Sequence, residues 1–347
     1  MLNVGIVGIG FMGMTHFNAY KEIDGVKVGA ICETDPKRRE GDWTSIKGNF
    51  GPQGGMVDLT GISAYATYEE LLADESIDLV DISLPPALHK EVTIAALKAG
   101  KHVFCEKPMA LTEDDAMAMY DTAEECGKLL LIGHVLPYFP EYAYALDIIN
   151  SGTYGKLLGG HFKRMISDPT WLPDFYDPEK IGGPMLDLHI HDAHFIRLIF
   201  GMPRQVRSVG SMRGEVVERF SSQYLFDDPQ LVVTATSGVI DQQGRPFNHA
   251  YEIYLEKATI LFDWAALVEP FEQAIPVTLL RDDGSVIRPE IQGGPPEAFR
   301  AELTEVARAV TAGEPSPLLD GLLARDAMTL CRSQTESIKS GQPVDLA

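Results

Sequence analysis

The chain has 347 residues, of which 45% are hydrophobic, and carries 50 acidic against 29 basic side chains, a formal net charge of −21. That length exceeds what a single core ordinarily organises and predicts two domains. The acidity argues against a nucleic-acid partner, and no apolar run nears the roughly 20 residues that span a membrane.

The opening MLNVGIVGIG has no basic leader and enters a strand pattern at once, so a cytoplasmic protein without a secretory signal is expected. Apolar, β-branched runs recur at NVGIVGIG, KVGAIC (27–32), DLVDISLP (78–85), HVFC (102–105) and LLLIGH (129–134). Helical patterns lie between them. HKEVTIAALKAGK, from His89, carries Val92, Ala95, Ala96 and Ala99 at helical spacing and stops at Gly100. TEDDAMAMYDTAEECGK pairs an N-cap at Thr112 with a stop at Gly127. Apolar strands alternating with helices predict an α/β fold with a doubly wound parallel sheet covered on both faces. The glycine-rich segment from Arg38 to Ala64 breaks this rhythm and reads as a surface insertion near the adenosine end of a cofactor. Four scattered cysteines, Cys32, Cys105, Cys126 and Cys331, lack metal-type spacing and read as buried free thiols.

Gly8, Gly10 and Gly13 form G-x-G-x-x-G between the first strand and the first helix. The first glycine permits the tight turn, the second lets backbone approach a pyrophosphate, and the third lets helix and strand pack closely. Phe11 and Met12 belong to the same loop, where the helix N-terminus offers N–H groups to an anion. Glu33, twenty residues after Gly13, ends the second strand, where a carboxylate can accept from ribose hydroxyls. It favours NAD over NADP, although Lys37, Arg38 and Arg39 follow it. Pro85, His89 and Glu106, at or just beyond later strand tips, are further cofactor candidates. In FCEKPMAL an apolar strand runs into Glu106, Lys107 and Pro108. Ligands bind beyond the carboxyl ends of such strands, so Lys107 is placed to donate to a substrate oxygen or to the cofactor.

With the later GGPMLDLHIHD, these motifs stand in an order that resembles the Gfo/Idh/MocA family, the glucose-fructose oxidoreductase and inositol dehydrogenase group, over nearly the whole chain. The resemblance implies a Rossmann domain followed by an α/β domain with an open, mostly antiparallel sheet, often paired into homodimers or homotetramers through that sheet. It also implies a nicotinamide cofactor and a sugar, cyclitol or derivative as substrate. The expected domains are 1–134 and 135–347, with the C-terminal helix a candidate to pack back on the first.

The second part alternates as antiparallel strands do, in RSVGSMRG, SSQYLF, QLVVTATSGV, YEIYLE and TILFDW, with turn signals DDPQ, DQQGRP and RDDGS. GGPMLDLHIHDAHFIRLIFG reads as a helix from Gly182 to Gly201 on which Asp187 and His191, four apart, share a face. By resemblance to the family's Asp-x-x-x-His motif they join Lys107 as the catalytic group. An imidazole with an unperturbed pKa of about 6.5 suits a general base. His189 and His191, two apart on a helix, point differently, so no metal site is expected and His189 is assigned to substrate or a neighbouring subunit. His134, Arg164, Trp171 and Tyr176 are further substrate candidates. Relatives often carry Arg-Phe where this chain reads Pro137 and Tyr138. DGLLARDAMTLCRSQTESIKSG, near the C-terminus, reads as a packing helix.

The expected activity is NAD-dependent oxidation of a sugar or cyclitol hydroxyl. A redox-neutral enzyme with tightly held NAD and a non-catalytic dinucleotide sensor are the alternatives, and Lys107, Asp187 and His191 argue against the sensor.

Overall fold

The computed structural model describes residues 1–48, 53–268 and 272–346. The chain divides into two compact units, Met1–Phe139 with Gly293–Arg325, and Pro140–Gln292 with Asp326–Ala347.

The first unit is built on β1 (Leu2–Val7), β2 (Val26–Cys32), β3 (Ser63–Tyr65), β4 (Leu79–Ile82), β5 (His102–Glu106) and β6 (Leu130–Gly133). All pair in parallel, in the order β3-β2-β1-β4-β5-β6. β4 and β6 are buried at every residue, as a sheet covered on both faces requires. The helices between strands are α1 (Phe11–Tyr20), α2 (Pro36–Arg39), α3 (Tyr68–Leu72), α4 (His89–Lys98) and α5 (Glu113–Cys126). α5 starts where the Thr112 hydroxyl accepts the Asp115 N–H at 3.2 Å and stops at Gly127, whose φ is +60°. Strand order reverses between β1 and β4, which puts the ligand crevice above their carboxyl ends.

The 38–64 segment does more than cover a surface. Trp43 is fully buried with its ring edge-on to Phe17 at 4.9 Å, and Ile46 joins the same core. Residues 49–52 of that segment lie outside the described residues. The core also takes Leu303 and Val306 from α8 (Pro295–Ala312), part of the returning stretch that belongs to this unit.

The second unit carries β7 (Leu157–Ser167), β8 (Gln205–Arg213), β9 (Val216–Leu225), β10 (Val232–Ile240), β11 (Phe247–Leu255), β12 (Ala258–Ala266), β13 (Glu272–Arg281), β14 (Val286–Ile287) and β15 (Val344–Asp345). Their order is β14-β13-β12-β11-β7-β10-β9-β8-β15, antiparallel throughout except for the β7/β10 pair. DDPQ, DQQGRP and RDDGS fall between strands as their composition predicts. The unit's helices are α6 (Pro140–Asn150), α7 (Ile190–Phe200) and most of α9 (Gly321–Ser340). Beneath one face of the sheet, Tyr142 of α6 meets Phe195 of α7 and Tyr251 of β11, each at 5.1 Å between ring centroids. The other face carries exposed Ser221, Gln223, Val232 and Glu252.

Cys32, Cys105 and Cys331 are buried free thiols and Cys126 is half-buried. Among the described residues, no helix is long and apolar enough to cross a membrane.

Candidate active site

The three loop glycines are required for three different reasons. Gly8 sits at φ +95°, and a Cβ there would stand 2.7 Å from the Ser83 carbonyl oxygen. At Gly13 a Cβ would come within 1.9 Å of the Gly8 carbonyl oxygen, so α1 reaches the loop only because that side chain is absent. Gly10 is different, since a Cβ there would meet nothing within 4 Å. Open space in front of the helix N-terminus is what an incoming pyrophosphate needs. Two substitutions are therefore expected to separate. Gly13→Ala should destabilise the protein by about 1–3 kcal/mol through overpacking. Gly10→Ala should leave the melting temperature nearly unchanged while weakening NAD about tenfold or more, the extra methyl standing where the anion goes. Thermal melts and calorimetric NAD titrations on both variants check this; equal stability losses would contradict it.

Above the strand tips lies a cleft of about 590 Å³, within the range of small-ligand pockets. Gly8, Gly10, Glu33 and Pro85 line it, as anticipated. Tyr68, Glu69 and Glu91 line it as well and were missed, because short α3 and the start of α4 carry no ligand motif. The Glu33 carboxylate accepts the Ile9 N–H at 2.9 Å, the Asp35 N–H at 2.9 Å and the Thr34 hydroxyl at 3.2 Å. Those bonds tie β2's tip to the glycine loop and leave acceptor capacity on the carboxylate. Among the described residues Arg38 is the one basic residue lining the cleft, and its guanidinium donates to the Ile9 carbonyl at 3.2 Å and lies 4.0 Å from Glu33. The side chains of Phe11 and Met12 pack away: Phe11 lies against Gly48 of the insertion, and Met12 packs with Val135 and Phe299. What these two offer a cofactor is backbone N–H at the helix start.

His89 also departs from the direct-contact expectation. It is fully buried, with Nδ1 2.8 Å from the Pro108 carbonyl oxygen and Nε2 2.8 Å from the Leu84 carbonyl oxygen. The ring staples the loop after β4 to the turn after β5. Burial lowers its pKa, while both carbonyls and Glu106 pull the other way. In that turn the Lys107–Pro108 bond is cis, and the Lys107 amide donates to Glu106 Oε2 at 3.0 Å. The Lys107 side chain is half-buried and the Glu106 carboxylate largely buried, so this is no surface ion pair.

In the second unit the helix expected from Gly182 opens instead as a π-helical turn, Met185–His189, before continuing as α7. Such wide turns are frequent at functional sites. Asp187 and His191 are both half-buried, whereas Leu188, His189, Ile190 and Asp192 between and beside them are buried. The predicted pair therefore shares the side of the helix that is open.

Two substrate candidates are buried with protein partners. Arg164 is buried and clamps Asp192 with two bonds, Nε–Oδ2 at 2.8 Å and Nη2–Oδ1 at 3.0 Å, and its guanidinium lies 5.5 Å from the Phe247 ring centre. It fixes β7 to α7. His189, assigned above to substrate or a neighbouring subunit, is fully buried, with Nε2 3.0 Å from the Tyr224 hydroxyl and 3.1 Å from Gln334 Nε2. Tyr176 lies under the Arg213 guanidinium at 4.2 Å and donates to Asp168 at 3.0 Å. Trp171, 63% exposed, is open to contact. His134, at the end of β6, is buried in the first unit. Among the described residues, no cluster of three or more His, Cys, Asp or Glu is arranged for a metal ion.

Burial pulls the His189 pKa down to about 4, with Arg164 acting in the same direction and Asp192 against it. The unfolded chain would protonate this ring below about pH 6.5. Stability from His189 is thus fully present above about 6.5 and is lost as pH falls toward 4. Denaturation midpoints across that window should fall less steeply with pH in His189→Gln than in the native chain; parallel curves would contradict the assignment.

Comparison with known proteins gives the family. A family model described as an oxidoreductase family with an NAD-binding Rossmann fold matches residues 2–134, and the GFO/IDH/MocA C-terminal domain model matches residues 142–261. The chain belongs to the Gfo/Idh/MocA oxidoreductase family. An inositol 2-dehydrogenase/D-chiro-inositol 3-dehydrogenase of Lactiplantibacillus plantarum is 35% identical over 69% of this chain and 63% of its own length. A 2,7-anhydro-N-acetylneuraminate hydratase of Escherichia coli (strain K12) is 30% identical over 60% of this chain and 53% of its own. The chain thus spans roughly half to two-thirds of the length of these relatives. In fold, it matches levoglucosan dehydrogenase, solved with NADH and levoglucosan, over 99% of both chains with a TM-score of 0.79 at 21% identity. The family's NAD suits this chain on structural grounds, because the cradle in front of Gly10 is open and Glu33 stands beside it.

Proposed function

We propose that this family member oxidises a secondary hydroxyl of a sugar, cyclitol or derivative with NAD. The carrying observation is the glycine-loop cleft, edged by Glu33, in a chain that also bears Lys107 after β5 and the open-sided Asp187 and His191. Gly10 and Glu33 would hold the cofactor, which when bound supplies the hydride acceptor. His191 takes the hydroxyl proton as general base. Lys107 is suited to donate a hydrogen bond to a substrate oxygen and to stabilise developing negative charge there. Asp187 orients the imidazole or anchors a neighbouring hydroxyl, and Trp171 offers an aromatic face to a sugar ring. The carbinol hydrogen leaves with its electron pair as hydride. The acidic rim of Glu33, Glu69 and Glu91, with Arg38 already engaged, supports NAD over NADP.

The test is absorbance of reduced nicotinamide when the protein, with NAD and separately with NADP, meets aldoses, sugar acids and inositols. Reduction of NAD by one class establishes the activity. Silence across the panel, with NAD retained on the protein, overturns it in favour of redox-neutral chemistry, the reading to which the hydratase relative's name points. In that case the substrate would be oxidised and re-reduced without net NADH. A cytoplasmic homo-oligomer joined through the open sheet face is part of the proposal; light scattering would show a monomer if that part is mistaken.

A further inference from the structure

Behind the Glu106–Lys107 turn, in the interior of the first unit, lies a group of ionisable side chains that the proposed chemistry does not use. His16 of α1 is fully buried, with Nδ1 3.1 and 3.0 Å from the two oxygens of Asp81 on β4. Its Nε2 is 3.2 Å from Oε1 of Glu106, an ion-pair approach in which the two atoms are not aligned for a hydrogen bond. The Ser83 hydroxyl donates to Asp81 at 2.9 Å, and the rings of Phe104 and Phe299 lie 5.5 and 6.0 Å from the imidazole. Space for the Glu106 carboxylate comes from Gly133 on β6, where a Cβ would stand 3.2 Å from Oε1. Tyr20, one turn along α1, and Glu302 of α8 close the pocket, both fully buried.

Burying this many charges costs more than an apolar core of the same volume. The arrangement nevertheless has a direction. One ring nitrogen faces Asp81 and the other faces Glu106, and a neutral imidazole can donate to only one of them. The carboxylates therefore favour a ring protonated on both nitrogens. Burial pulls the His16 pKa down, but Asp81 and Glu106 outweigh it, and the net result is a pKa raised well above its usual value. Neither oxygen of Glu302 has a hydrogen-bond partner. Burial and the neighbouring Glu106 and Asp81 raise its pKa strongly, against His16, so it stays a neutral acid. Tyr20 likewise stays neutral, by burial and by Asp81. The ring of His16 thus stands between the carboxyl groups of Asp81 and Glu106.

We propose that His16 is a positioning residue for Lys107: anchored by Asp81, its ring holds Glu106 at ion-pair distance so that the carboxylate receives the Lys107 amide and fixes the backbone from which Lys107 projects. The claim rests on the reading of Lys107 as catalytic. Loss of the ring would leave the Glu106 carboxylate without its buried partner, and the turn would shift while the glycine loop and Glu33 stay in place.

Three measurements on the full chain test this. Histidine-selective nitrogen NMR should show the His16 ring with both nitrogens protonated at pH 7, a result independent of any substrate. His16→Phe should bind NAD within about threefold of the native protein while kcat falls by roughly 10- to 100-fold, the scale of a small misplacement. Glu302→Gln, which mimics the neutral acid, should leave both values unchanged. If His16→Phe does not fold, Asp81→Asn takes its place with the same split expected. A neutral His16 ring at pH 7, or kcat unchanged in the folded variant, overturns the proposal. Lys107→Ala with full turnover would instead remove the reading beneath it, and leave the NMR result standing.

Discussion

Lys107→Ala is expected to lower kcat by about 10²–10³-fold, the usual cost of removing one preorganised donor to a developing oxyanion. NAD binding should survive, because the cleft is formed by the glycine loop, Glu33, Pro85 and the residues around α3 and α4, and Lys107 is not among its walls. The Glu106–Lys107 bond is a backbone N–H to carboxylate contact, so the alanine keeps it and the turn should hold. Lys107→Arg should not restore the rate, since a planar fork cannot take the place of a compact ammonium on one oxygen. Steady-state rates beside calorimetric NAD titrations separate these effects. A variant that turns over normally would refute the catalytic role; one that loses NAD would make Lys107 a cofactor ligand.

The largest stability effect is expected at Asp192. Removing its carboxylate leaves the Arg164 guanidinium, 3% exposed, with an uncompensated charge, and losing one partner of a buried pair costs about 3–5 kcal/mol. Asp192→Ala should show that loss in denaturant melts. Arg164→Met with Asp192→Leu should recover most of it, because an apolar pair of similar volume needs no charge compensation. The double variant asks whether the ion pair is kept for stability or for placing His191, the neighbouring residue on α7. Restored stability with reduced kcat would indicate placement. A single-variant loss below about 1 kcal/mol would match an exposed pair instead and contradict the clamp.

Much of this protein was legible from local pattern. Burial on both sheet faces leaves continuous apolar runs, so β1, β2, β4, β5 and β6 stand out in the sequence. A glycine that must accept an anion or a close helix reads the same in sequence as in space: Gly8, Gly10 and Glu33 line the cleft, and Gly13 lets α1 close on the Gly8 carbonyl. Asp187 and His191 kept a common open side because their four-residue spacing is close to one turn in an α-helix and in the wider π-turn.

What local pattern could not carry was which polar side chains face the interior. Arg164, His189 and His89 have the chemistry of ligand-binding groups, yet their partners come from far along the chain: Gln334 lies 145 residues from His189, and Asp81 lies 65 from His16. Trp43 enters the core against Phe17 of α1, and α8 supplies Leu303, Val306 and Glu302 from more than 280 residues beyond the glycine loop. Sequence by itself thus determined the strand and helix periods, the cofactor loop and the residues able to do the chemistry, because each depends on neighbours a few positions away. Tertiary structure alone decided which charges are buried as scaffold and which stay open to a ligand, because burial and charge pairing depend on segments that only folding brings together.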